Sequence, residues 1–407
     1  MTRRWRPRRA VTLPAIRHLR PRDGSEQATT SVELFFDLVY VFAVTQLSHL
    51  ILDDLTVAGL ARAAILLLVV WWAWMYTTWM VNWFDPASPA VRVVLVGVML
   101  ASLLMAAALP EALKEHGVLF AVSYVVLQVG RNVAAASLLA RDHPLRSVFE
   151  RLVVWSTVSG VLWLAGATLE GDDRLLLWIP ALLLDLVAPF VGYWLPGRGH
   201  AATTDYNVEG GHFAERCQGF IIIALGESIV VTGATAAAAG LGTTVVICLV
   251  VAFLETAALW WLYFGAAAAH SREAMRASED PGGLARDAYT YLHLPIVAGI
   301  IATAVGDDLL IAHPHDRLHG VARAVVVGGP ALYLLGENLF RRRITGTVNA
   351  KRFLAAGALI VLALLGPHVS ALALSALVTA LLTALALWEY RSPPTVRQPT
   401  VASEVGA

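Results

Sequence analysis

The sequence predicts an all-α polytopic membrane protein, a bundle of about 12 transmembrane helices, and three observations carry that expectation. Hydrophobic residues make up 57% of the 407-residue chain and charged residues only 15%, the balance of a chain that lives in lipid. Mean hydropathy is +0.65. The apolar residues gather in runs of about 19 or more, the length a bilayer core of ~30 Å asks of a helix. No polar block between them is long enough for a separate globular unit.

Taken in order, the predicted spans are 32–52, 59–83, 91–110, 117–140, 149–168, 175–195, 212–236, 241–268, 287–306, 319–340, 352–366 and 368–389. Gly366 and Pro367 alone part the last two. That pair reads as a tight hairpin or as one broken helix, and a count of eleven stays open. Lys and Arg collect on the cytoplasmic side of short loops. With the N-terminus inside, 23 of the 30 Lys/Arg fall on that side against Arg62, Lys114, Arg174 and Arg317 outside, so both termini are placed in the cytoplasm of a cell membrane.

Residues 1–31 form a basic arm with no apolar core or cleavage site of a signal peptide. It reads as resting on anionic lipid, with no nucleic-acid role. The tail 391–407 reads as disordered, and 196–211 as a cytoplasmic linker between a first half, 32–195, and a second, 212–390.

Several functions are excluded by composition. Cys217 and Cys248 both lie in apolar runs, so no disulfide framework or CxxC redox motif exists. Lys114 and Lys351, the only lysines, lie at segment ends, which argues against a buried retinal-type Schiff base. No phosphate-binding GxxxxGK[ST] loop is present. No catalytic triad rises above background, so no enzyme activity, cofactor or metal is expected; the His313-Pro314-His315-Asp316 stretch, following Asp307-Asp308, reads as a polar outer loop.

Tryptophan-rich runs recur as Trp71-Trp72-Ala73-Trp74 in span 2 and Trp260-Trp261 in span 8. Spans 1 and 7 each open with an acid (Glu33; Glu215), and spans 4 and 10 share a Tyr followed by a charged-Asn pair, Arg131-Asn132 and Glu337-Asn338. The offsets of 182, 189 and 206 read as a six-plus-six tandem repeat, with a site between the halves. Interfacial Trp belts are the competing explanation.

Ionisable groups inside a membrane span are functional candidates by default. In span 1, Asp37, Tyr40, Val44 and Ser48 share one helical stripe, with Gln46 and His49 nearby. Glu33 fits a capping box with Thr30. In span 7, His212, Arg216, Gly219, Ile223 and Glu227 form a second stripe beside Glu215, and Gly219 and Gly226 permit close helix packing. Arg131, Asp185 and Glu255 fall near mid-membrane, while Glu337 sits at a cytoplasmic end where snorkelling suffices. Seven acids against three arginines favour a proton or cation path.

The blocks ELFFDLVYVFAVTQLSHL, WWAWMYTTWMVNWFD, HFAERCQGFIIIALGESIV and LWWLYF, running in order from Glu33 to Arg341-Arg342-Arg343, resemble the bacterial low temperature requirement A (LtrA) family. Cys217, where His or another polar residue is expected after Glu-Arg, departs from that pattern. The resemblance implies a bacterial membrane protein linked by name to growth in the cold, with no assigned activity. FFDLVYVFAVTQL is also similar to a helix of the lysosomal potassium channel family, itself built as six-plus-six. The expectation is a secondary transporter of a small solute or cation, with Asp37, Glu215 and Glu227 in a polar centre and Arg131 and Arg216 as charge partners. Tyr40, Gln46, His212 and Glu255 complete the candidate site. A cation channel, or a membrane scaffold serving the stress response, is the alternative. Its partners would be the lipid bilayer and the solute, with homo-oligomerisation left open.

Overall fold

The structure, a computed structural model, describes residues 18–22, 27–265, 273–275 and 277–392. It is 80% helical, with no strand among the described residues. The helices that build it are α1 (Ser31–Asp53), α2 (Val57–Trp83), α3 (Pro89–Glu111), α4 (Gly117–Ser137), α5 (Pro144–Ala167), α6 (Leu175–Val187), α7 (Gly210–Ala239), α8 (Thr243–Phe264), α9 (Pro281–Ala312), α10 (Gly320–Thr345), α11 (Ala350–Leu365) and α12 (Ala371–Arg391). Among the described residues nine are long and apolar enough to cross a membrane, all but α6, α10 and α11.

The three exceptions have local causes. Helix α6 has 13 residues and stops at Val187 because Pro189 cannot extend it and the chain turns through positive φ at Gly192 (58°) and Tyr193 (49°). The predicted span 175–195 was therefore too long. Helix α11 has 16 residues and ends at Gly366–His368, which answers the hairpin question with two separate helices. Helix α10 has 26 residues but carries Arg323, Glu337 and Arg341–Arg343. Span 9, predicted to end at 306, runs instead through Asp307 and Asp308 to Ala312, so those two acids belong to the helix and not to an outer loop.

Caps set the boundaries. Thr30 and Glu33 form the expected capping box of α1, Thr56 accepts from Gly59 N at the start of α2, and Ser370 accepts from Ala373 N at the start of α12. Gly346 (φ 68°) closes α10 in the left-handed conformation that glycine takes without strain. Two helices are interrupted by π-helical turns, α4 over Val126–Gly130 and α9 over Ala285–Leu292.

Helix α2 is the central pillar. Trp71, Trp72 and Trp74 are completely buried, so they are not an interfacial belt. An indole N–H inside a bilayer needs a partner, and each finds one on a different element: Trp71 donates to Thr290 O at 2.7 Å, Trp72 to Asp185 O at 3.1 Å and Trp74 to Asp37 Oδ1 at 2.9 Å. Trp260 and Trp261 of α8, by contrast, lie 44% and 47% exposed on the perimeter.

Small residues bring α9 and α10 into the closest approach in the bundle. A Cβ on Gly299 would lie 2.5 Å from Tyr333 N, and one on Gly329 2.7 Å from Thr303 N; Gly336 is similarly placed against Ile296 N at 2.9 Å. The glycines expected to do this in span 7 do not: Gly226 has open space around it, and Gly219 has only Asp37 Oδ2, at 3.9 Å.

Candidate functional site

Helices α1 and α7 run parallel, and their polar side chains meet at three levels. At the first, Glu33 Oε1 lies 2.7 Å from His212 Nε2. Its other oxygen accepts from Arg20 Nη2 at 2.9 Å and from Thr30 N and Oγ1 at 2.8 Å. Asn82 fixes the histidine tautomer: its Oδ1 accepts from Glu209 N (3.0 Å) and Arg22 Nη2 (3.1 Å), so its Nδ2 faces His212 Nδ1 at 3.2 Å as a donor. His212 Nδ1 must accept, which leaves the proton on Nε2, donated to Glu33. Glu33 is thus both a cap and the centre of a buried ion pair.

At the second level Arg216 grips Asp37 with both terminal nitrogens, at 2.6 and 2.7 Å, and Trp74 donates to Asp37 Oδ1. The guanidinium also lies over the rings of Trp74 and Phe36, 5.6 and 5.9 Å from their centres. A planar fork matched to a carboxylate is the strongest form of such a pair. At the third level Glu227 Oε2 accepts from Thr45 Oγ1 at 2.6 Å, while its Oε1 is buried without a partner. Eleven residues separate Arg216 from Glu227, about 16 Å of helix, so no arginine reaches this acid.

The remaining predicted residues are dispersed. Tyr40 is buried and hydrogen-bonded to Ser102 Oγ at 3.0 Å, outside the acid network. Gln46 is half-buried and, one position on from Thr45, points about 100° away from it. Glu215, expected in the polar centre, is half-buried and accepts from Thr29 N at 3.1 Å. It ties the chain ahead of α1 to α7.

Arg131 does not partner Asp37. Its Nη1 donates to Thr77 Oγ1 at 3.2 Å, its Nη2 to Gln128 Oε1, and its guanidinium sits 5.3 Å from the centre of the Tyr76 ring. Gln128 Nε2 then donates to Tyr124 OH (2.9 Å), which donates to Asp185 Oδ2 (2.9 Å). A buried cation and a buried anion are therefore joined through two neutral relays.

Glu255 has Thr379 Oγ1 at 3.1 Å. Asp307, buried in α9, is within electrostatic range of Glu255, and its Oδ2 has no partner. Sequence reasoning missed Asp307 by ending the span at 306, one residue before it and six before the helix ends. It also missed Arg20, whose Nε donates to Val81 O at 2.8 Å while residues 18–20 pair with the end of α2; this part of the arm packs on protein. Glu337, taken for a snorkelling end residue, is buried and bound by Arg352 at 2.7 Å, and Arg352 also binds Glu389. A basic residue just past the α10 turn was the available signal.

Apart from Asp185, joined to Arg131 through its relay, two populations of buried acid result. Glu33, Asp37 and Glu337 are matched by arginine. Among the described residues Glu227, Glu255 and Asp307 have no arginine: Glu227 has the Thr45 and Ser48 hydroxyls with His49 within electrostatic range, Glu255 has Thr379, and Asp307 Oδ2 has no partner. Matched pairs lock helices together; a carboxyl group in lipid without a counter-charge is stable only carrying a proton or a cation.

This is a polytopic α-helical membrane protein with a charge-paired seam between two parallel helices and unmatched acids beyond it. The profile of the bacterial low temperature requirement A protein (LtrA) matches residues 28–387, and the chain belongs to that family. It is 36% identical over 375 residues to an uncharacterized protein of Rhizobium meliloti (strain 1021), covering 92% of each chain. No solved structure matches it.

Proposed function

We propose that the protein is a secondary transporter that couples movement of a small solute or cation to a proton or cation held by its unmatched carboxylates. The observation that carries this reading is Glu227, wholly buried in α7 with one oxygen on Thr45 and the other unpartnered. A packing role would be served better by an apolar residue, because an unmatched buried acid costs stability. Glu255 and Asp307 extend the same chemistry into α8 and α9.

We read the bundle as a six-plus-six repeat across which α1 and α7 correspond. Support comes from the matching neighbours: α1 packs on α3 as α7 packs on α9, and α2 meets α6 as α8 meets α12. In this reading the protein lies in the cell membrane with both termini in the cytoplasm and serves growth in the cold. The charge-matched groups favour one further reading, a scaffold whose buried ions only fix helix packing.

The test is a solute screen by current on a solid-supported membrane carrying reconstituted protein, with complementation of a strain lacking the gene. Transport predicts solute-evoked currents in the wild type that disappear in Glu227→Gln and Glu255→Gln. Full complementation in the cold by both variants would sink the transporter and leave the scaffold.

A further inference from the structure

We propose that a cavity between the two halves, separate from the α1–α7 seam, is a binding site for a planar aromatic molecule that bears a ring N–H and an anionic group. Its walls include Trp79, Trp83, Phe149 and Tyr193, with Asn132 and Arg286 as polar groups. Its empty volume, open solvent included, is ≈ 530 Å³. A slot walled by aromatic rings suits a flat ring.

The polar groups define the rest of the ligand. Asn132 is 1% exposed, and its Oδ1 has no hydrogen-bond partner. A buried amide oxygen left empty costs about 1–3 kcal/mol, and a ring N–H would satisfy it. No acid lines the cavity. Arg286 pairs with Asp287 through Nε at 2.7 Å, but Asp287 also takes Arg343 at 2.9 Å, so one carboxylate serves two guanidinium groups. Arg131, over the Tyr76 ring that forms another part of the wall, is offset there by Asp185, so the charge preference of the cavity rests on Arg286. The field in the slot favours an anion over an organic cation. Burial pushes the Tyr193 phenol well above its ordinary value, so it stays a neutral donor, bonded to Tyr76 OH at 2.9 Å.

A second observation points to the same place. The chain has two π-helical segments among the described residues, Val126–Gly130 and Ala285–Leu292, and such turns concentrate at functional sites. Asn132 lies two residues past the first, and Arg286 and Thr290 lie within the second. Both irregular turns deliver side chains to this one cavity, and Trp79 Nε1 holds Thr290 Oγ1 at 3.1 Å.

The probe is indole-3-acetate, with tryptamine as its cationic counterpart, titrated calorimetrically up to about 1 mM into the full chain in lipid nanodiscs. Saturable binding of indole-3-acetate is expected, at least tenfold tighter than tryptamine. Arg286→Gln should weaken it at least tenfold, and Val148→Phe, which fills the slot from its wall, should abolish it while the bundle stays folded by circular dichroism. Tryptamine binding as tightly, unchanged binding in Val148→Phe, or no saturable binding to folded wild type would each overturn the proposal. If Arg286→Gln fails to fold, Val148→Phe and the charge comparison still decide.

Discussion

The Asp37–Arg216 pair offers a double-mutant cycle whose arithmetic follows from the geometry. Both side chains are buried, at 7% and 0% exposure, and bonded at two points. Asp37→Asn leaves the guanidinium one neutral amide oxygen and the faces of Trp74 and Phe36. Removing one partner of a buried pair costs about 3–5 kcal/mol, and the amide oxygen that Asn keeps places the loss at the low end, near 3 kcal/mol. Arg216→Gln leaves Asp37 with neutral donors only, Trp74 and the new amide, and should cost about the same. The double variant buries no charge, and its two amides can bond each other, so its cost should stay below about 2 kcal/mol. The coupling energy is then roughly 4 kcal/mol, measured by reversible unfolding in mixed micelles. Additive single losses would refute the claim that this pair locks α1 to α7.

Other perturbations probe separate parts of the account. Tyr124→Phe cuts the relay between Arg131 and Asp185 and should cost about 2–4 kcal/mol in the same unfolding assay, because both neighbours lose a buried partner; a loss under about 1 would mean the relay is not coupled. Gly299→Ala places a methyl 2.5 Å from Tyr333 N, so α9 and α10 must separate, at about 1–3 kcal/mol. An unchanged stability would show the contact to be loose. Arg62→Ala is the surface control: its pair with Asp172 is 33% and 57% exposed and worth less than about 1 kcal/mol. Arg62 hydrogen-bonds hold the Asp172 carboxyl below its ordinary value. That contribution is present above about pH 4 and is lost as pH falls through the lowered folded value, and a wild-type–variant gap growing toward acid would contradict it.

The sequence made the class, the α1 and α7 polar stripes and the capping box legible because these depend on local period and spacing. The level at which stripes meet depends on packing. Asp37 finding Arg216, 179 residues away, needed the parallel register of two helices, which no spacing within one helix reveals. Arg131 was misassigned for the same reason: its partners lie on α2 and one turn back on its own helix. Asp307 was lost at a boundary, since a hydropathy window ends at the first acid whether or not the helix does. Glu215 looked equal to Glu227 in sequence, and only depth separates an acid that bonds Thr29 N near the helix start from one buried among hydroxyls with no arginine. The π-turns left no signal in the residue pattern at all.

The central claim is that the buried acids divide into arginine-matched and unmatched sets. A hydrophobic carbodiimide, which reacts with protonated carboxyl groups in apolar surroundings, tests this directly in nanodiscs free of alkali cations, with adducts mapped by peptide mass spectrometry. Adducts are expected on Glu227, Glu255 or Asp307 and none on Asp37, Glu33 or Glu337. Adducts on Asp37 or Glu33 with Glu227, Glu255 and Asp307 untouched would contradict it.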